Sequence, residues 1–190
     1  MGVERKCFRR IKESDLEMIM NWRMRPEITK YMYTDPQLTI EDQRKWFEKI
    51  SNEDNSFYWI FEVEEKAVGL VSFVDWDKDN SIIHTGGYIA EKEGRTLHNI
   101  IDMNMNIYNY IFSVLNINKA AFEIMSNNMS QVQWMKRIGA TLEGVLRQAI
   151  KKNGAYYDLY LLSFLKEEWP SICSKTRFNN IEIERLYDSY

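Results

Sequence analysis

The sequence predicts an α+β fold built on one mixed, mostly antiparallel central sheet flanked by helices. Three observations carry this expectation. At 190 residues, with 45% hydrophobic and 28% charged content, the chain can bury one sizeable core and is too short for two full domains. Segments rich in aromatic and β-branched residues alternate with amphipathic ones in the order strand, two or three helices, three strands, helix, strand, helix, two strands. Very short links join the consecutive strands, which reads as antiparallel hairpins.

Taking the elements in order, a short strand lies around Lys6 to Ile11. The next segment opens at Ser14 with Glu17 three residues on, a reciprocal cap for orphan amides at a helix start, and Leu16, Ile19, Met20 and Trp22 follow at helical spacing. Pro26 suits the first position of a second short helix, "PEITKYM", because its missing amide would be unpaired there anyway. Thr39, followed by Glu41 and Asp42, caps a third helix carrying Trp46, Phe47 and Ile50 on one stripe. "SFYWIFEVEE" and "AVGLVSFVDWD" form a hairpin across the tight "EEK" link, and a "DKDN" turn leads into a third strand, "SIIHTGGYIA".

After "EKEGRT" comes a long helix whose Leu97, Ile100, Ile101, Ile107, Ile111, Phe112 and Leu115 trace one face. A strand, "KAAFEIM", and a helix stopped at Gly139 follow, and then a hairpin turning at Asn153–Gly154. Residues 1–170 are expected to form the domain and 171–190 a polar C-terminal tail. Ile181, Ile183, Leu186 and Tyr187 of that tail could pack on their own domain or on a second copy, which leaves a homodimer open.

Composition also excludes function classes. The net charge is −3, from 25 basic and 28 acidic residues without a long run of either sign, so the chain lacks the electrostatic footprint of a nucleic-acid binder. No apolar run approaches the ~20 residues that span a bilayer, and no charged-then-apolar leader precedes the first strand. Two cysteines at opposite ends, Cys7 and Cys173, fit a reduced cytoplasmic protein better than a disulfide. No metal site is expected.

Several strings carry a resemblance: "NWRMRPEITKYM", "AVGLVSF", and above all "SNNMSQVQWMKRIGATLEGVLRQAIKKNGAYYDLYLLSFLKEEW". With the element order they resemble the GNAT superfamily of acyl-coenzyme A acyltransferases over residues 5–169. Within it they are similar to the branch that N-acetylates UDP-4-amino sugars and to the ribosomal-protein N-terminal acetyltransferases. The resemblance implies a single GNAT-like domain with acetyl-CoA as co-substrate.

Acetyl transfer to an amine needs a thioester beside an unprotonated nitrogen, donors for the developing oxyanion, and a proton route to the leaving thiolate. By resemblance, the splayed middle strand offers backbone amides of Tyr88, Ile89 and Ala90 to the pantetheine arm, and Gly86 and Gly87 suit such a splay. The pyrophosphate would then sit on Gly94, Arg95, Thr96 and Leu97 at the start of the long helix. This loop departs from the family pattern, because Glu93 replaces a leading arginine and Thr96 and His98 stand where small residues are usual. Asn128 would hydrogen-bond the pantetheine arm.

Met135 occupies the position where many relatives carry a proton-donating tyrosine, which leaves Ser126, Ser130 or water to protonate the thiolate. For the general base, His84 has the right intrinsic pKa and Glu123 is the next candidate. On the acceptor side, Trp22, Arg23, Tyr31 and Met32 are expected to close over the substrate, with Arg23 pairing to a diphosphate. Met24 and Gln43 replace an asparagine and a histidine of the branch signature. The expected activity is therefore N-acetylation of the primary amine of a small molecule, a UDP-4-amino-4,6-dideoxy sugar, by direct attack. The alternatives are an N-terminal amine acetyltransferase acting on a ribosomal-type protein, and a non-catalytic GNAT-fold binding protein.

Overall fold

The computed structural model describes residues 4–186. Eight strands form one sheet in the order β6-β7-β5-β4-β3-β2-β1-β8. They are β1 (Lys6–Arg10), β2 (Phe57–Val63), β3 (Lys66–Asp77), β4 (Ile82–Ile89), β5 (Lys119–Met125), β6 (Thr141–Lys152), β7 (Ala155–Leu165) and β8 (Glu182–Ile183). The helices are α1 (Leu16–Met24), α2 (Pro26–Thr29), α3 (Ile40–Asn52), α4 (Leu97–Asn109), α5 (Met129–Ile138) and α6 (Trp169–Lys175). The β4–β5 and β1–β8 pairs are parallel and the remaining pairs antiparallel, which makes the sheet mixed and mostly antiparallel.

Alternation along β2 distributes the core over both faces. Phe57, Trp59, Phe61 and Val63 join α4, α5 and α6 on one side, while Ile60 packs with Ile19 and Trp22 of α1 on the other. Local chemistry set several elements as expected. The Thr39 hydroxyl accepts the Asp42 amide at 3.2 Å while the Asp42 carboxylate accepts the Thr39 amide at 2.9 Å, closing a reciprocal cap on α3. Gly139 stops α5 at φ 115°. The cap expected from Ser14 and Glu17 does not form. Asp15 takes that role, accepting the Lys12 amide at 2.8 Å and both terminal Arg9 guanidinium nitrogens at 2.7 and 2.9 Å.

Residues 171–186 were expected as a polar tail, and they are built into the domain. Following Trp169, which packs on Tyr108, Phe112 and Phe164, Ile172 and Ile181 are buried, and β8 runs parallel to β1. Their polar groups answer buried polar groups of α4. The Asp102 carboxylate accepts the Asn179 amide at 2.8 Å, and the Asn106 side-chain oxygen accepts the Ile181 amide at 2.8 Å. Tyr187 lies outside the described residues.

One irregularity positions the site. β4 pairs with β3 along its length, yet it pairs with β5 only where Ile82–His84 meet Lys119–Ala121. A Cβ on Gly69 of β3 would fall 2.4 Å from the Tyr88 carbonyl oxygen, so β3 admits β4 closely only because that side chain is missing. β4 thus follows β3, β5 follows β7, and the two diverge after His84.

Candidate active site

The divergence of β4 and β5 opens a cavity of about 880 Å³ lined from both faces of the sheet. Thr85 to Ile89 of β4 and Phe122 to Ile124 of β5 form its split floor. Ile100, Met103 and Ile107 of α4, with Asn128, Ser130, Gln131 and Met135, close one side; Arg23, Glu27 and the segment Lys30–Thr34 close the other. A sheet opened in this way leaves strand-edge amides without a ladder partner in a mostly apolar cleft, where they can hold an extended polar chain.

The loop before α4 is largely self-satisfied. The amides of Gly94, Arg95 and Thr96 donate to the carbonyls of Glu91, Lys92 and Gly94 at 3.1, 3.1 and 2.9 Å. The Thr96 hydroxyl caps α4 by accepting the Asn99 amide at 3.2 Å. Gly94 is buried, and a Cβ there would lie 2.7 Å from Val68 Cβ, so this glycine serves packing against β3. Arg95 lines the cavity, but its guanidinium donates to the carbonyls of Ile89 and Ala90 at 2.9 and 2.7 Å, bracing the end of β4.

The sequence expectation for this half therefore needs correction. Gly94, Thr96 and Ala90 cannot offer amides to a cofactor, the last because its N–H donates to the Val68 carbonyl at 2.7 Å. The amides of Leu97 and His98, at the positive end of α4, donate to no group among the described residues. A phosphorylated cofactor fits these two amides, with Tyr88, Ile89 and Asn128 along the cleft beyond them.

Trp22 is corrected as well. It is buried against β2, β3 and β4, and its indole donates to Glu91 at 2.6 Å, outside the cavity lining. Glu91 also receives Arg25 at 3.0 and 3.1 Å, and Arg25 first of all holds its carboxyl below the usual range. This Trp22–Glu91–Arg25 cluster ties α1 to the end of β4.

Arg23, Tyr31 and Met32 do line the cavity. Arg23 is half-buried, donates to the Thr34 hydroxyl at 3.0 Å, and meets no carboxylate among the described residues. Burial lowers its pKa from the usual arginine range, with Tyr88 and Asp35 partly offsetting that. Gln43, at the signature's histidine position, is buried away from the cleft, and the Met24 sulfur accepts the Leu38 amide at 3.3 Å.

The catalytic candidates separate by position. His84 sits where β4 and β5 are still paired and does not line the cavity; Ser126 accepts the Asp158 amide at 3.1 Å and does not line it either. Glu123 does line it, and the Tyr33 hydroxyl donates to its carboxylate. Burial and then this contact push the Tyr33 phenol well above its ordinary range. Ser130 lines the opposite wall and donates to the Asn128 side-chain oxygen at 3.3 Å.

Two residues absent from the sequence expectation organise this half, Tyr33 and Lys152. The buried Lys152, at the tip of β6, donates to the carbonyls of Thr29 and Met32 at 2.5 and 2.9 Å and pairs with Asp35 at 2.7 Å. Asn153 donates to Asp35 at 2.8 Å, and Asn127 to the Lys30 carbonyl at 2.6 Å. The segment Lys30–Asp35 is thus clamped over the cleft. The only local signal for Lys152 was its place beside the Asn153–Gly154 turn.

A family model for the acetyltransferase (GNAT) domain matches residues 8–161. The chain is 23% identical over 173 residues to the uncharacterized N-acetyltransferase p20 of Bacillus licheniformis, covering 88% of this chain and 96% of that one. It is 23% identical over 73 residues to the acetyltransferase PseH of Campylobacter jejuni, covering 38% and 46%. Among solved structures, spermidine N-acetyltransferase from Vibrio cholerae, in complex with CoA and spermine, superposes with a TM-score of 0.82 at 18% identity, covering 87% of this chain and 98% of that one.

Proposed function

Because the chain belongs to the GNAT acetyltransferase family and uses acetyl-CoA to acylate amines, we propose that its acceptor is the primary amine of a nucleotide-linked 4-amino sugar. The observation that carries this reading is Arg23, a half-buried cation on the acceptor side of the cleft with no carboxylate beside it among the described residues. A guanidinium without an ion-pair partner in a partly desolvated site favours an anionic ligand and disfavours a cationic one. Lys30 and Arg23, set against Glu27 on the same wall, therefore argue against a polyamine, the ligand named for the Vibrio cholerae structure. The two free cysteines support a reducing, cytoplasmic setting.

The chemistry follows from the cleft. The thioester of acetyl-CoA supplies the acyl group. Glu123, oriented by Tyr33, takes a proton from the acceptor ammonium, so that the free amine can attack from the acceptor side. Free amides along the splayed edge of β4 receive the developing oxyanion, and Ser130 or water returns a proton to the leaving thiolate. Met135 supplies no proton at that wall. Transfer is direct, since neither cysteine lines the cleft.

A thiol-release assay on a panel of acceptors tests this. A UDP-linked 4-amino sugar should be acetylated with a kcat/KM at least about tenfold above spermidine and above an N-terminal peptide. Preference for spermidine or for the peptide would overturn the acceptor assignment.

A further inference from the structure

Two hydroxyls stand where the cleft closes, and the transfer described above uses neither. Thr85 is the first residue of β4 beyond its last pair with β5, and it lines the cavity together with Tyr108 of α4. Their hydroxyl oxygens lie 3.3 Å apart. Thr85 is half-buried, whereas Tyr108 is 4% exposed and has no other described hydrogen bond.

A buried phenolic hydrogen without a partner is costly, so Tyr108 donates to the Thr85 oxygen. Burial also raises the phenol above its ordinary range, which keeps that hydrogen in place at working pH. With Thr85 accepting from Tyr108, its own hydrogen is directed elsewhere, and no acceptor for it occurs among the described residues.

Strand alternation places this pair on one face of the sheet and the base on the other. Thr85 stands opposite Phe73 of β3, in the core shared with α4. Glu123 lies between Phe122 and Ile124 of that core and therefore turns the other way, to Tyr33 on the acceptor side. The Leu97 and His98 amides offer a phosphate anchor beyond one end of β4, and Ile89 to Thr85 then spans about 13 Å toward the closed end of the cleft. An amine approaching past Glu123 expels sulphur toward the opposite face, where Thr85 stands.

We propose that the Thr85 hydroxyl, set as a donor by Tyr108, binds the sulphur of coenzyme A and stabilises the thiolate that leaves when the acetyl group is transferred. Thr85 is then a catalytic residue and Tyr108 a positioning one. The C–S bond breaks with its electron pair going to sulphur, the new amide nitrogen gives its extra proton to water, and Thr85 keeps its own hydrogen while bonding the thiolate. Ser130 or water then supplies the proton that completes the thiol. This role rests on the direct transfer proposed above, and not on which amine is acetylated.

The probe is CoA, its bound thiol titrated by the ultraviolet absorbance of the thiolate. Enzyme loaded with desulfo-CoA is subtracted to remove the protein's own thiols and phenols. The bound thiol should titrate at a pH about 1 lower in the parent than in Thr85→Val, and Thr85→Ser should keep the parental value. Tyr108→Phe should give part of the same rise, and no further rise when added to Thr85→Val, because it acts only through that hydroxyl. Unchanged desulfo-CoA affinity reports that each variant is folded. With the acceptor of highest kcat/KM in the panel above, Thr85→Val should lower kcat about tenfold or more and leave the KM for acetyl-CoA unchanged.

The same thiol pKa in the parent, Thr85→Val and Tyr108→Phe, or effects of the two substitutions that simply add, would overturn the role. The titration contains no acceptor, so it can fail while the panel still selects the amino sugar, and it can hold where the panel selects spermidine or the peptide.

Discussion

Glu123 stands where β5 has left β4, and the only described side-chain hydrogen bond to its carboxylate comes from Tyr33, a residue 90 positions away. If Glu123 takes the ammonium proton, Glu123→Gln should lower kcat/KM by about 10²- to 10⁴-fold with acetyl-CoA affinity intact, because only the proton transfer is lost. His84→Ala and Ser126→Ala should change kcat/KM by less than about threefold, since neither side chain lines the cleft. A loss of about a hundredfold in His84→Ala would return the base to the strand histidine. The exposed Glu93 gives a second check: if the Leu97 and His98 amides receive the pyrophosphate, Glu93→Gln should tighten CoA binding by about two- to fivefold at low salt and less at high salt. Unchanged affinity at both salts would mean that its charge does not face phosphate.

At the level of elements, legibility followed sequence distance. The Thr39–Asp42 cap, the Gly139 stop and the Asn153–Gly154 turn each rest on residues within four positions of one another, so composition sufficed to place them. Trp22 shows the opposite case. Its type and helix position suited either a substrate wall or the core, and only the fold reveals Glu91 beneath its indole. The clamp on Lys30–Asp35 was invisible for the same reason, since Lys152 reaches Thr29 across 123 positions. This clamp predicts that Lys152→Met raises the acceptor KM about tenfold, leaves CoA binding unaltered and increases proteolysis within residues 30–38. Equal KM and equal protease resistance would show that the segment holds its place without the lysine.

Across the whole molecule, the C-terminal segment is held by a buried charge pair. Asp102 of α4 accepts Lys6 of β1 at 2.8 Å, with side chains only 2% and 5% exposed, and also accepts the Asn179 amide and side chain at 2.8 and 3.0 Å. Three distant parts of the chain therefore meet at one carboxylate. Burial alone would raise the Asp102 pKa, but the hydrogen bonds from Lys6 and Asn179 outweigh it and hold the carboxyl below its usual range. A carboxyl whose folded pKa is depressed contributes fully above its unfolded value of ~3.9, and that contribution is lost as pH falls through the lower folded value. Asp102→Asn leaves the buried Lys6 with only the half-exposed Glu4 carboxylate at 3.4 Å and should cost up to about 3–5 kcal/mol near pH 7 in urea unfolding. The variant should also lose less stability than the parent between about pH 4 and pH 2, because the titrating group is gone. A variant that unfolds at the parent's urea midpoint at pH 7 would mean that β8 and α6 hold the C-terminal segment without this pair.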